Sequence, residues 1–511
     1  MKVPLTVLDH IDRAELVYGE RIGVVDEPDQ PAESWGSLTY ARMAELARAQ
    51  AAGLDTLGIG VGERVAIVSQ NSARLLTSFF GVSGSGRVVV PINFRLSPAE
   101  IAYIVEHCGA SMLLVDPELD DALAGIGAAH RYVLGAESDA VLYRPDVEPR
   151  AWAGIDEDAT AAINYTSGTT ARPKGVQLTH RNVWINAATF GWQLGVSDRD
   201  VYLHTLPMFH CNGWGMPYAV TAMGGRHVVL RKVDGAEILR RIDEHDVTLL
   251  CGAPAVVSAV LDAAALWDGP VPGRDRVRMV VAGAPPPTRV IERMRAELGW
   301  EFVQIYGLSE TSPLLTMSRE RAEWDALAPE ETARLLSRAG APAVGVRIRI
   351  SPDGEVQARG NTVFDGYWEQ PDATADAIPD GWFRTGDGGH LDGAYVVISD
   401  RKKDVIISGG ENVSSIEVED ALFSHPAVAE AAVIGVPSEK WGETVKALVV
   451  LAPGAAATEA DLIEHCRSLL AHYKCPTSVE FRDELARTAT GKLQKFKLRE
   501  PYWEGLDRLV N

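Results

Sequence analysis

The chain has 511 residues, 46% hydrophobic and 23% charged, with 49 basic against 70 acidic side chains and a net charge of −21. That length exceeds one hydrophobic core and asks for two or more domains. The acidic balance argues against nucleic acid or an anionic membrane surface as a general partner.

No apolar run reaches the roughly 18–20 residues of a transmembrane segment, and the charged start MKVPLTVLDHIDRAELVYGE does not read as a signal peptide. Five scattered cysteines without a CxxC pair favour reduced thiols, no zinc site and a cytoplasmic location. From Leu38 to Val115 the pattern alternates. Tyr40–Leu57 predicts an amphipathic helix, Arg64–Ser69 a buried strand, Ala73–Val82 a helix, Val88–Ile92 a strand, Ser97–His107 a helix and Ser111–Val115 a strand. Continuous apolar strands alternating with helices imply a parallel sheet covered on both faces. Gly58, Gly60 and Gly62 are spaced wrongly for a dinucleotide loop and precede a strand, so they read as a helix exit and turn.

Next comes YTSGTTARPKG, Tyr165–Gly175. An apolar run, Ala161–Tyr165, leads into it, and Thr179 is a plausible N-cap for a helix beginning near Arg181. By composition the stretch is a flexible linker. Its hydroxyls and Lys174 would also suit phosphate oxygens, although the Gly-Lys-Ser/Thr ending of a Walker loop is missing. A second alternating block follows, with strands predicted at Asp200–Thr205, Arg226–Leu230, Val247–Cys251 and Val277–Val281. Gly340–Tyr395 reads as a small β-rich region. The tail predicts helix Ser415–Phe423, strands Val428–Ile434 and Thr444–Leu451, helix Glu459–Leu470 and strand Val479–Arg482. The domain boundary is expected at Ser399–Arg401, where charge clusters between two strand-like runs. The expected fold is therefore α/β. A large domain, 1–399, holds two packed parallel-rich sheets with a β-rich subdomain, and a small α+β domain, 400–511, follows.

Five further stretches, with the first loop, carry a resemblance. They are LPMFHCNGW from Leu206, VAGAP from Val281 with IYGLSET from Ile305, GWFRTGD from Gly381, DRKKD from Asp400 with SGGEN from Ser408, and TGKLQKFKLR from Thr490. In this order they resemble the motifs of the adenylate-forming superfamily of acyl-CoA synthetases, luciferases and peptide-synthetase adenylation domains. The resemblance implies that Thr166, Ser167, Gly168, Thr169, Thr170 and Lys174 cradle the phosphates of ATP. Gly283, Ala284, Pro285, Tyr306, Gly307 and Ser309 would face the adenine, and Asp387, assisted by Arg401, would accept the ribose hydroxyls. Glu310 and Thr166 would hold Mg²⁺.

His210, Cys211, Asn212, Trp214 and Ser312 would line the acid pocket, with Trp214 as a gate, while Gly283 and Ala284 could also reach it. Asp400 would be the hinge of a mobile small domain, and Gly409, Gly410 and Trp441 would lie on the CoA side. Lys492 would be the catalytic lysine. By composition alone His210 and Trp214 are ordinary core residues, and Glu310, Asp400 and Lys492 are solvated charges. Two departures from the family pattern stand out: Ala171 replaces a usual glycine, and Gly388 replaces a bulkier apolar residue, which would loosen that turn.

The implied activity is an ATP-dependent acid–CoA ligase. A fatty or aryl carboxylate would form an acyl-adenylate with release of pyrophosphate, and the acyl group would then pass to CoA. An adenylating enzyme with another acceptor (a carrier protein, an amine, or nitrite-type activation) remains the alternative. Oligomeric state is not legible, a homodimer standing open.

Overall fold

The computed structural model describes residues 1–144, 146–148, 154–166, 172–401, 404–408, 411–438, 440–487 and 493–504. Among them the strands form four sheets. The first runs in the order Gly366–Tyr367, Lys174–Thr179, Thr160–Thr166, Val88–Ile92, Arg64–Val68, Ala110–Val115, His130–Val133. From Thr160–Thr166 onward its neighbours are parallel. Of these, the three central strands, Val88–Ile92, Arg64–Val68 and Ala110–Val115, are Val-, Ile- and Leu-rich because both faces are covered. The remaining two strands pair antiparallel.

The second sheet has a parallel centre of Glu301–Gly307, Arg278–Val281, Leu249–Gly252, Val201–Leu203, Arg226–Val228 and Ile22–Val25. Ser37–Thr39 closes one edge antiparallel, and Leu314–Ser318 with Ala341–Pro342 closes the other. The expected strand Asp200–Thr205 shortens to Val201–Leu203 for a visible reason. The buried amide of Asn71 takes the carbonyls of His204, Leu206 and Leu230 and accepts from Met208 N, which bends the chain out of the ladder.

The two sheets share one core, in which helix Ala73–Gly81 is buried along its whole length. Ser72 caps that helix by accepting from Leu75 N at 3.2 Å. At the carboxyl ends of the strands a buried ion pair joins the sheets: Arg231 grips Asp116 with both terminal nitrogens, each at 3.1 Å. Two-pronged geometry of this kind offsets the desolvation of both charges.

A third sheet orders Arg347–Ile350, Glu355–Arg359, Phe383–Asp392 and Tyr395–Arg401, all antiparallel. Here the expectation for Gly388 needs correction. It lies inside the strand Phe383–Asp392 opposite Asp400, not in a turn. A β-carbon there would meet the Asp400 carbonyl at ordinary contact distance, 3.5 Å, and the strand register shifts between Gly388 and Gly389. The fourth sheet orders Glu411–Val413, Ile406–Ser408, Gly442–Leu451 and Val428–Ser438, with Ser478–Phe481 parallel to Gly442–Leu451. Helices Ser415–Phe423 and Glu459–Leu469 cover it, each capped by the serine or threonine before it. No described helix is long and apolar enough to cross a membrane.

Several imidazoles are buried in the large core. His204 Nε2 and His227 Nδ1 lie 3.0 Å apart, and His227 Nε2 contacts Thr221 Oγ1 at 3.0 Å. Burial lowers the pKa of His227 to about 3 and those of His10 and His180 to about 4. The folded state therefore refuses protons that the unfolded chain accepts below about pH 6.5, so these groups destabilise the fold as pH falls from there toward 4. Each contributes on the order of 3 kcal/mol to that loss. The midpoint of urea unfolding should accordingly fall between pH 7 and pH 5, and His227→Gln should fall less over that interval. An equal fall in both proteins would remove the pair from the explanation.

Candidate functional site

The stretch YTSGTTARPKG turns out to close a hairpin. Strands Thr160–Thr166 and Lys174–Thr179 pair antiparallel with Thr166 opposite Lys174, so these two residues stand at its mouth. Ser167, Gly168, Thr169, Thr170 and Ala171 lie outside the described residues. Thr179 caps the following helix, His180–Leu194, in a reciprocal exchange with Asn182.

Lys174 Nζ sits 4.7 Å from the centre of the Tyr367 ring. The hydroxyl of Tyr367 donates to Glu310 Oε1 at 2.9 Å. One aromatic side chain thus connects the expected phosphate lysine and the expected metal carboxylate. Its position follows from the sheet, because Tyr367 pairs with Val176 two residues beyond Lys174. Glu310 belongs to the single turn Ser309–Thr311, which packs against the strand Lys174–Thr179. Burial and the adjacent Glu310 carboxylate push the Tyr367 phenol well above its ordinary pKa, so it stays a donor. Tyr367 was missed in the sequence because a lone aromatic in a Gly-Tyr-Trp run carries no signature by composition.

No cluster of three or more His, Cys, Asp or Glu side chains able to hold a metal occurs among the described residues. A half-buried Glu310 with the Thr166 hydroxyl is a sparse donor set. It fits Mg²⁺ that arrives with phosphate oxygens and water supplying most of its ligands.

A second constellation lies at the carboxyl end of Glu301–Gly307. The Tyr306 hydroxyl donates to Asp387 Oδ2 at 2.7 Å, and Arg401 Nε reaches Asp387 Oδ1 at 3.0 Å. Asp387 and Arg401 are cross-strand neighbours, which explains how residues fourteen apart in sequence meet. The Asp387 charge raises the pKa of Arg401, and burial together with that charge raises Tyr306. Gly307 is required here: a β-carbon would stand 1.6 Å from the Pro313 carbonyl oxygen. Gly283, exposed at φ +95°, follows the neighbouring strand with Ala284 and Pro285.

The LPMFHCNGW stretch takes an unusual backbone. Cys211, Asn212, Gly213, Trp214 and Gly215 all have positive φ, between 43° and 81°. A left-handed conformation costs roughly 1–2 kcal/mol for each residue with a side chain, so this segment is strained and must be held from outside. Trp214 is buried in the main core, and Cys211 Sγ lies 3.8 Å from the Ser309 carbonyl, next to Glu310. Ser312, also buried, donates to Thr362 O at 2.8 Å, and His210 is half-buried with its ring beside Phe209.

Asp400 is not the exposed charge that composition suggests; it is 2% exposed. Its backbone pairs with Gly388 in the third sheet, while Oδ2 accepts from Ser415 N at 3.0 Å at the start of helix Ser415–Phe423. Oδ1 accepts from Arg401 N at 2.9 Å. Ser415 Oγ in turn accepts from the half-buried Lys495 ammonium, which is 2.8 Å from Glu419. Thr288 N and Oγ1 donate to the Asp420 carboxylate at 3.0 and 3.2 Å, a second contact onto the same helix. Trp441 is half-exposed at the turn before Gly442–Leu451, with Lys440 Nζ 4.5 Å from its ring. Gly409, Gly410 and Lys492 lie outside the described residues.

Two packed α/β sheets with a hydroxyl- and lysine-bearing hairpin, facing carboxylates at the strand ends, define an adenylate-forming enzyme. The chain belongs to the AMP-binding enzyme family, whose model matches residues 12–368, while the model for the family's C-terminal domain matches residues 417–492. It is 37% identical to 2-methylpropanoate–CoA ligase of Humulus lupulus, over 97% of this chain and 95% of that one. To 4-hydroxybutyrate–CoA ligase 2 of Metallosphaera sedula it is 36% identical, over 97% and 94%. Among solved structures, anthranilate CoA ligase with bound anthranoyl-AMP superposes with a TM-score of 0.88 at 26% identity, covering 98% of both chains.

The Asp400 contacts yield a prediction of their own. Asp400→Ala strips two backbone N–H groups of their acceptor, at a cost of about 1–3 kcal/mol for each that stays buried. Trypsin should then cut near Arg401 severalfold faster than in the wild type, while helix Ser415–Phe423 loses amide protection. Unchanged cutting and protection would mean that the carboxylate anchors nothing.

Proposed function

We infer that the chain is an AMP-forming acid–CoA ligase, and that it works on a small monocarboxylic acid. The observation that carries this reading is the meeting of Lys174, Tyr367 and Glu310 beside Thr166 in a member of the AMP-binding enzyme family. Named relatives acting on 2-methylpropanoate and 4-hydroxybutyrate support CoA as acceptor and a short acid. Neither arginine nor lysine occurs among the expected wall residues, which suits one carboxylate over two.

In the first half-reaction the acid's carboxylate attacks the α-phosphorus of ATP and pyrophosphate leaves. Lys174 neutralises the outer phosphates and Lys492 the α-phosphate, while Asp387 and Arg401 hold the ribose. Mg²⁺, held by Glu310 and the Thr166 hydroxyl, supplies further positive charge at the phosphates. In the second half-reaction the CoA thiol attacks the acyl carbon and AMP departs. We divide the chain at 399/400 and take Asp400 as the hinge, so that the small domain presents Lys492 first and the Gly409–Gly410 loop with Trp441 second. The buried, unpaired thiols suit a reducing compartment, and we assign the chain to the cytosol.

Two experiments test this. Lys492→Ala should slow adenylate formation by about two to three orders of magnitude. Thioester formation from supplied acyl-adenylate should largely persist, and equal loss of both steps would refute the division of labour. Tyr367→Phe keeps the ring under Lys174 but frees Glu310. It should raise the Mg²⁺ concentration for half-maximal ATP binding about tenfold, read by nucleotide fluorescence. An unchanged requirement would contradict the role of Glu310 as ligand or of Tyr367 as its support, and Glu310→Gln separates the two.

A further inference from the structure

Helix His180–Leu194 begins directly behind the phosphate hairpin and turns polar side chains into the core, His180, Asn182 and Asn186 all being buried. A buried amide is tolerated when its donors and acceptor are paired. Asn182 meets that condition by binding the carbonyls of Asn361 and Val363 and accepting from Thr179 N. Asn186, one turn further on and with no exposed surface, is used differently. Its Oδ1 accepts from Leu314 N at 3.1 Å, and its Nδ2 donates to the Trp214 carbonyl at 3.3 Å.

These partners come from two separate segments, both assigned above to the acid. Leu314 follows Ser312 and Pro313, and Trp214 lies in the left-handed run Cys211–Gly215. The contact extends to the next residue, since a β-carbon on Gly215 would stand 2.3 Å from Asn186 Nδ2. Consecutive left-handed residues with side chains persist only where the surroundings hold them. One rigid helical amide spans from that strained run to the segment opposite.

We propose that Asn186 is a positioning residue of the acid site: it sets the separation between Trp214 and the Ser312–Leu314 segment, and with it the size of acid accepted. The proposal rests on reading Trp214 and Ser312 as walls of that site. The amide is fully buried and both its bonds go to backbone of the two wall segments, so its loss should appear in the acid's parameters and leave those of ATP.

The test compares wild type, Asn186→Ala, Asn186→Asp, Asn182→Ala and Trp214→Ala on straight-chain acids, 2-methylpropanoate and benzoate, with thermal stability measured in parallel. Asn186→Ala should raise KM for the preferred acid about tenfold or more and shift preference toward bulkier acids. KM for ATP should stay within about twofold. Asn186→Asp keeps the shape and the acceptor but loses the donor to Trp214, and should give an intermediate shift that lessens at low pH, where a protonated carboxyl donates again. Asn182→Ala should lower stability without reordering the acids. If Asn186→Ala fails to fold, the aspartate variant carries the same comparison. The proposal is overturned if Trp214→Ala reorders the acids while both Asn186 variants do not, or if Asn182→Ala reorders them equally. If Trp214→Ala leaves the order intact, the wall assignment itself falls and takes the proposal with it.

Discussion

Repulsion between two anions is the constraint to which this structure answers. A carboxylate must touch a triphosphate, and two unit charges 4 Å apart repel by about 4 kcal/mol at an effective dielectric of 20. A chain of net charge −21 has to create positive potential locally. On the function proposed above it does so near the carboxyl ends of its parallel strands, where Lys174 opens the strand antiparallel to Thr160–Thr166 and Arg401 ends a strand pair beside the other sheet. Each cation is kept in place by a specific neighbour: the Tyr367 ring under Lys174, the Asp387 carboxylate beside Arg401. Asp387 pairs with Arg401 through one oxygen and accepts from the Tyr306 hydroxyl through the other.

The second demand is that the charge arrangement change between half-reactions. Cations that stabilise attack at phosphorus need not stay for attack at carbon. The hinge proposed at Asp400 would serve that division, since its backbone pairs in the third sheet and its side chain accepts from the first turn of helix Ser415–Phe423. The Asp400–Ser415–Lys495 chain of hydrogen bonds ties that residue to the start of helix Ser415–Phe423. The contact between Thr288 and Asp420 belongs to the arrangement seen here.

Much of the architecture was legible from local rules. Val88–Ile92 and Ser415–Phe423 were read residue for residue, because a continuous apolar run and a serine-capped amphipathic turn leave little choice. The strand Ile22–Val25 escaped notice, four residues being too few to show a period, and its place comes from pairing with Arg226–Val228 far along the chain. In the site, contiguous motifs were readable and the residues that hold them were not. Tyr367 reaches Glu310 through strand pairing, and Asn186 reaches Trp214 and Leu314 across the core. Such contacts join segments tens to more than a hundred residues apart, and no local pattern records them.

Chemistry tests the account most directly when the atoms themselves are followed. With the acid labelled by ¹⁸O in its carboxylate and turned over with ATP and CoA, the account predicts one labelled oxygen in the phosphate of the AMP released, carried there through the acyl-adenylate. AMP without label, or label appearing in pyrophosphate or phosphate instead, would contradict it.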